Sequence, residues 1–221
     1  MSDIEGAGLI SFFRSAFNAV PLRRDFSNSD KALLDQVGNY PISQIFVVRA
    51  PIKDYVDKLM GVITLGAWRR TQDKLGVDKV FHTSMRFFIR YPNGSVVPVV
   101  FEKNDTPRLY VWNGKPEKDE ERKEVPAVYN KRLKIMIDNC IRAMGDNFWT
   151  YDSFKNNCVV AVQQMLLSNN LLSASLNNFL KQPIDEFESN LPSYTGTVAR
   201  VLTDTSRKLR TIVGKGLDVE E

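Results

Sequence analysis

The stretch KVFHTSMRFFIRYPNGSVVPVVFEKN, residues 79–104, decides the fold. From Phe81 onward the odd positions Phe81, Met85, Phe87, Ile89 and Tyr91 are apolar, whereas His82, Ser84, Arg86 and Arg90 are polar. Successive side chains of a strand point to opposite faces, so this alternation predicts a half-buried β-strand. Tyr91-Pro92-Asn93-Gly94-Ser95 then reads as a hairpin turn. The proline ring holds φ negative, which suits the first central position of a type I turn, and Gly94 takes the left-handed conformation of the bulge that follows. That loop pairs Tyr91 with Ser95, Ile89 with Val97, Phe87 with Val99 and Met85 with Phe101, making one face apolar from both strands. The other face carries Ser84 opposite Glu102 and His82 opposite Asn104. A two-residue Asn-Gly turn shifts the register by one, sets Glu102 among the apolar side chains opposite Met85, and brings Asp105 across from His82. Hydrophobic matching favours the bulged register.

Outward from the hairpin, Arg108 to Trp112 reads as a further strand closed by Asn113-Gly114. The almost wholly charged run from Lys115 to Glu124 reads as a solvated loop or exposed helical turn. Pro126 is placed to open a helix whose apolar side holds Leu133, Met136, Ile137, Cys140, Ile141 and Met144. Toward the N-terminus, Leu9, Phe12, Phe13, Ala16, Phe17 and Val20 recur at helical spacing, and a second helical pattern runs from Pro51 through Ile52, Val56, Leu59, Met60 and Ile63. A last amphipathic helix is expected from about Thr195 to Val213, with Val198, Val201, Leu202, Leu209 and Ile212 opposing Arg200, Arg207, Lys208 and Arg210. The expected fold class is α+β: a small antiparallel sheet from about residues 79–112, packed on the helix that carries Cys158, with extra flanking helices. The divisions are a helical extension over 1–75, a core over 76–190 and an amphipathic helix over 191–221, all in a single compact unit.

Of 221 residues, 43% are hydrophobic and 25% charged, and 30 Lys+Arg against 26 Asp+Glu leave a net charge of +4. Acidic and basic residues are interspersed, so no specific nucleic-acid partner is expected. Two cysteines and one histidine exclude the common zinc patterns, and no calcium-loop spacing occurs, so neither metal nor cofactor is expected. The opening MSDIEGAGLISFF is acidic where a secretory signal is basic, and no apolar run approaches the roughly 18 residues of a membrane span. An intracellular, cytoplasmic and reducing environment follows as the expectation.

Chemistry concentrates at His82 and at Cys158 in YDSFKNNCVVAVQQMLL, residues 151–167, where loop becomes helix. Asp152, Ser153 and the Asn156-Asn157 pair are all capping residues by type. A cysteine at a helix start feels the positive end of the backbone dipole, which favours thiolate, and N–H groups there can bind a developing oxyanion. Histidine supplies a proton acceptor and donor, and a carboxylate or amide behind it holds its tautomer. Glu102 fits that third place, with Asn104 and Asp105 as alternates. The plainer reading of Glu102 is a surface pair with Arg86 or Lys103, and that of Cys140 is a small buried hydrophobe.

This order of residues resembles the permuted papain-like fold of the NlpC-type cysteine peptidase superfamily, in whose permuted branch histidine precedes cysteine. That branch includes lecithin:retinol acyltransferase-like enzymes and hydrolases of bacteria and large DNA viruses. The resemblance covers roughly Phe81 to Leu167 and rests on VFHTSMRFFIRYPNG for the histidine strand, VVFEKN for the polar-residue strand and YDSFKNNCVVAV for the cysteine helix. It implies Cys158 as nucleophile, His82 as base, Glu102 as the orienting residue, and Tyr151 and Asn157 along the substrate cleft. The implied activity is a thiol peptidase or amidase acting on a peptide or amide substrate. Acyltransferase members follow the cysteine with charged and aromatic residues, whereas here Val159-Val160-Ala161-Val162 follows, which favours amide hydrolysis over lipid acyl transfer at a membrane surface. The different-class alternative is a non-catalytic structural or interaction protein, such as a virion component, meeting a protein partner or a membrane surface through the terminal helices.

Overall fold

The computed structural model describes residues 25–51, 67–75, 80–104, 106–126, 128–152 and 155–181. In chain order the elements are α1 (Asn28–Val37), β1 (Ile42–Pro51), α2 (Ala67–Leu75), β2 (Phe81–Arg90), β3 (Val96–Lys103), β4 (Pro107–Val111), β5 (Glu121–Glu124), α3 (Leu133–Met144), a 3-10 turn (Gly145–Phe148), α4 (Cys158–Leu167) and α5 (Ala174–Leu180). The five strands form one antiparallel sheet in the order β4-β3-β2-β1-β5. The α+β class expected from the sequence is the class observed.

The hairpin adopts the bulged register. Ile89 pairs with Val97, Phe87 with Val99, Met85 with Phe101 and Ser84 with Glu102. The Tyr91 N–H donates to the Ser95 carbonyl at 2.8 Å, the Gly94 N–H donates to the Tyr91 carbonyl at 2.9 Å, and Gly94 has φ +85°. Met85, Phe87, Ile89, Val99 and Phe101 are fully buried. At about 1.5–3 kcal/mol for each buried side chain, a slip by one residue would expose the whole set, so the register is held by far more than its hydrogen bonds.

Helices α3 and α4 close the core over this face. Leu133, Met136, Ile137 and Cys140 of α3 and Ala161, Val162, Met165 and Leu166 of α4 are buried in one cluster with the strand residues. Helix α4 lies against β2 and β3, and α1 lies against β4 and α3. Phe148 stacks on Phe101 at 6.1 Å and meets Phe26 and Trp149 edge-on, which ties the segment before α4 to the sheet.

Several expectations need correction. The sheet extends well beyond residues 79–112. Within the segment read as a helical extension, Ile42–Pro51 is a strand pairing with β2 along its length, and Pro51 is its last residue rather than a helix start. A proline at a strand end removes no ladder bond from the interior, so it does not interrupt pairing. The charged run includes Glu121–Glu124, an edge strand beside β1. Edge strands tolerate charge, which discourages pairing with other chains. Helix α3 begins at Leu133, not Pro126, after a turn in which Asn130 takes a left-handed φ of 60°. The stripes at Leu9–Val20, Ile52–Ile63 and Val198–Ile212, and Asp105, lie outside the described residues.

Gly94 has open space where a Cβ would stand, so only its backbone conformation resists substitution. Gly94→Ala is expected to cost about 1–2 kcal/mol, read as a lower urea midpoint with unchanged slope.

Candidate active site

His82 is the second residue of β2 and Glu102 the penultimate residue of β3, so antiparallel pairing brings both to the same end of the hairpin. Glu102 stands opposite Ser84 and is therefore a diagonal neighbour of His82 on one face. His82 Nε2 lies 3.2 Å from Glu102 Oε2. The same carboxylate accepts from Asn104 Nδ2 at 2.9 Å and from the Tyr110 hydroxyl at 3.3 Å. Asn104 thus fixes Glu102. Tyr110 escapes sequence reading because β4 brings it across β3 only in the folded sheet. The Glu102 side chain is 13% exposed and that of His82 30%, so the pair sits at the rim of the core with the ring reachable from solvent.

Cys158 is the first residue of α4. Asn157 is the N-cap, its side-chain oxygen accepting from the N–H groups of Val159 at 2.9 Å and Val160 at 3.2 Å. Asn157 is itself buried. The cap takes up two of the helix's first donors. Tyr151 is half-buried in the loop that leads to the cysteine.

The two thiols have opposite electrostatics. Burial pushes the Cys158 thiol up, but the charge of His82, a hydrogen bond with its imidazole, and the hydroxyl and backbone N–H of Thr83 together bring it down to about 7. Burial likewise opposes charge on His82, yet the Cys158 thiolate and the Glu102 carboxylate raise it well above its ordinary value. A thiolate beside an imidazolium is the state these shifts favour. Cys140, by contrast, is pushed up to about 12 by burial, and its sulfur contacts Met144 Sδ at 3.7 Å. It is the small buried hydrophobe that its helical stripe predicts.

Lys103, 1% exposed, shares the covered face of β3 with Val99 and Phe101 and reaches the loop before α4. Its Nζ donates to the Asn147 carbonyl at 2.6 Å and to Asn156 Oδ1 at 2.7 Å. Asn156 Nδ2 in turn donates to the carbonyls of Asn147 and Thr150. Burial brings the Lys103 ammonium down to about 8. Lys103 therefore pins the approach to Cys158 rather than pairing with Glu102. Arg86 does not take that carboxylate either, being held by Glu120. No group of three or more His, Cys, Asp or Glu side chains suited to a metal ion occurs among the described residues.

The Thr83 hydroxyl is fully buried without a hydrogen-bond partner among the described residues, and its nearness to Cys158 helps to hold the thiol down. Thr83→Val is expected to raise the apparent pKa of Cys158 and slow its alkylation at neutral pH about three- to tenfold, with Thr83→Ser restoring both. Asn157→Ala is expected to cost about 1 kcal/mol in denaturant unfolding, since two donors lose their cap. Compared with known protein families, curated proteins and solved structures, the chain finds no match.

Proposed function

We propose that the chain is a cysteine hydrolase acting on a peptide or amide bond, with Cys158 as nucleophile, His82 as its proton partner and Glu102 as the residue that orients the ring. The observation that carries this reading is the convergence of three groups from β2, β3 and the start of α4: the imidazole held at 3.2 Å by Glu102 and the thiol beside it lowered to about 7. The Cys158 thiolate attacks the substrate carbonyl carbon, and the carbonyl π electrons move to oxygen, a charge that the positive end of the α4 backbone dipole favours. His82 gives a proton to the amine as the C–N bond breaks, leaving a thioester. Water then gives a proton back to His82 and attacks the thioester, releasing the acid and restoring the thiolate. This chemistry requires no cofactor.

Two reduced thiols suit a reducing, cytoplasmic compartment, and no helix among the described residues is long and apolar enough to cross a membrane. A second reading, a non-catalytic interaction or virion protein built on the same fold, is favoured by the burial of Cys158, which is only 8% exposed. Lipid acyl transfer has the weaker support, since the stripes it would use lie outside the described residues.

The pH dependence of alkylation separates the first two readings without any substrate. Cys158 is expected to react in a fast phase that rises through about pH 7, while Cys140, pushed up to about 12, stays inert across the neutral range. His82→Ala is expected to slow the phase about tenfold or more at pH 7 as the thiol returns toward its ordinary value. Amide hydrolysis needs both thiolate and imidazolium, so its rate rises as the thiol ionises and falls again as His82 loses its proton above its ordinary value. A Cys158 that reacts slowly and indifferently to His82 would sink the hydrolase and favour the interaction protein.

A further inference from the structure

We propose that Glu120 is a positioning residue for this site: by holding Arg86, it keeps that guanidinium off Glu102 and leaves the carboxylate to His82. The inference rests on the hydrolase reading for its functional meaning. Period-two geometry puts His82, Ser84 and Arg86 on the same face of β2. Glu102 stands opposite Ser84, so it is diagonal to His82 on one side and to Arg86 on the other. Diagonal neighbours about 7–8 Å apart are within reach of long side chains. A planar guanidinium fork offers two parallel donors to a carboxylate and competes strongly with the single donor of an imidazole.

Arg86 is nevertheless committed elsewhere. Its Nη1 and Nη2 donate to Glu120 Oε1 and Oε2 at 3.1 Å and 3.0 Å, and its guanidinium carbon lies 3.6 Å from the Trp112 ring centroid. The two side chains are 6% and 5% exposed. Glu120 also accepts from the Glu117 N–H at 3.2 Å, so the carboxylate is held by its own loop. A buried ion pair adds little net stability over a packed apolar pair, and here Arg86 Nε is buried without an acceptor. Stability alone is thus a poor account of the arrangement, whereas protection of Glu102 explains why a carboxylate is delivered to this spot from a run that reads as solvated charge.

The chain has one histidine, so its ring protons report the titration of His82 without ambiguity. NMR titrations would compare the unsubstituted protein with Glu102→Gln, Glu120→Gln, Arg86→Met and the Glu120→Gln/Arg86→Met double variant, alongside Cys158 alkylation at pH 7. Glu120→Gln is expected to lower the His82 pKa toward that of Glu102→Gln and to slow alkylation several-fold. Arg86→Met alone leaves both near their starting values, and the double variant restores them. The proposal is overturned if Glu120→Gln leaves the titration unmoved, or if the double variant stays as low as Glu120→Gln. Should Glu120→Gln lose its cooperative unfolding, Glu120→Asp, which keeps the charge but shortens the reach, takes its place: a lowered His82 pKa that Arg86→Met restores supports the proposal, and an unmoved or unrestored one overturns it. If Cys158 proves slow in the unsubstituted protein, the hydrolase reading falls while the titrations still decide the part played by Glu120.

Discussion

The left-handed glycine at position 94 sets the pairing of β2 with β3, and nearly everything else in the molecule is arranged around that pairing. One face of the hairpin becomes the floor on which α3 and α4 pack, because Met85, Phe87, Ile89, Val99 and Phe101 all point the same way. The other face gains His82 and Glu102 as diagonal neighbours. A single register therefore serves both the packing of the core and the pairing of His82 with Glu102, and no residue of the hairpin can be shifted to improve one without losing the other.

Around that floor the polar groups are sorted by partner. Glu102 is shared by His82, Asn104 and Tyr110, Arg86 is matched to Glu120, and Lys103 is given to loop carbonyl and amide oxygens. The two cysteines show how strongly such sorting acts on one side-chain type. Both are buried and both feel the Lys103 ammonium, but His82 and Thr83 act on Cys158, and the two are driven to opposite sides of the ordinary thiol value.

What is legible in the sequence is whatever is decided locally. The alternation from Phe81 to Tyr91, the turn at Pro92-Asn93-Gly94 and the helix start at Asn157-Cys158 are each governed by residues within a few positions of one another. β1 escapes such reading because Ile45 to Val48 is a continuous apolar run without alternation and Pro51 looks like a first-turn residue. β5 escapes it because four charged residues become a strand only when β1 stands beside them. Tyr110, Lys103 and Glu120 owe their places to sheet order and loop path, which no short-range pattern encodes. The meeting of His82 with Cys158 is expected from residue order by resemblance, not from any spacing, since β2 and the start of α4 lie far apart along the chain.

The dependence of Cys158 on partners from β2 has a consequence for the chain as it is made. His82 and Glu102 leave the ribosome before Cys158 does, and the hairpin has only nearby residues to find. Until α4 docks on β2, the cysteine has no imidazole beside it and keeps the ordinary thiol pKa of about 8.5, so it is mostly protonated at neutral pH. Its nucleophilicity is then acquired by folding rather than carried by the nascent chain. A misfolded or half-folded molecule is chemically quiet, and the ionised sulfur becomes a marker of the fraction that has reached the native state.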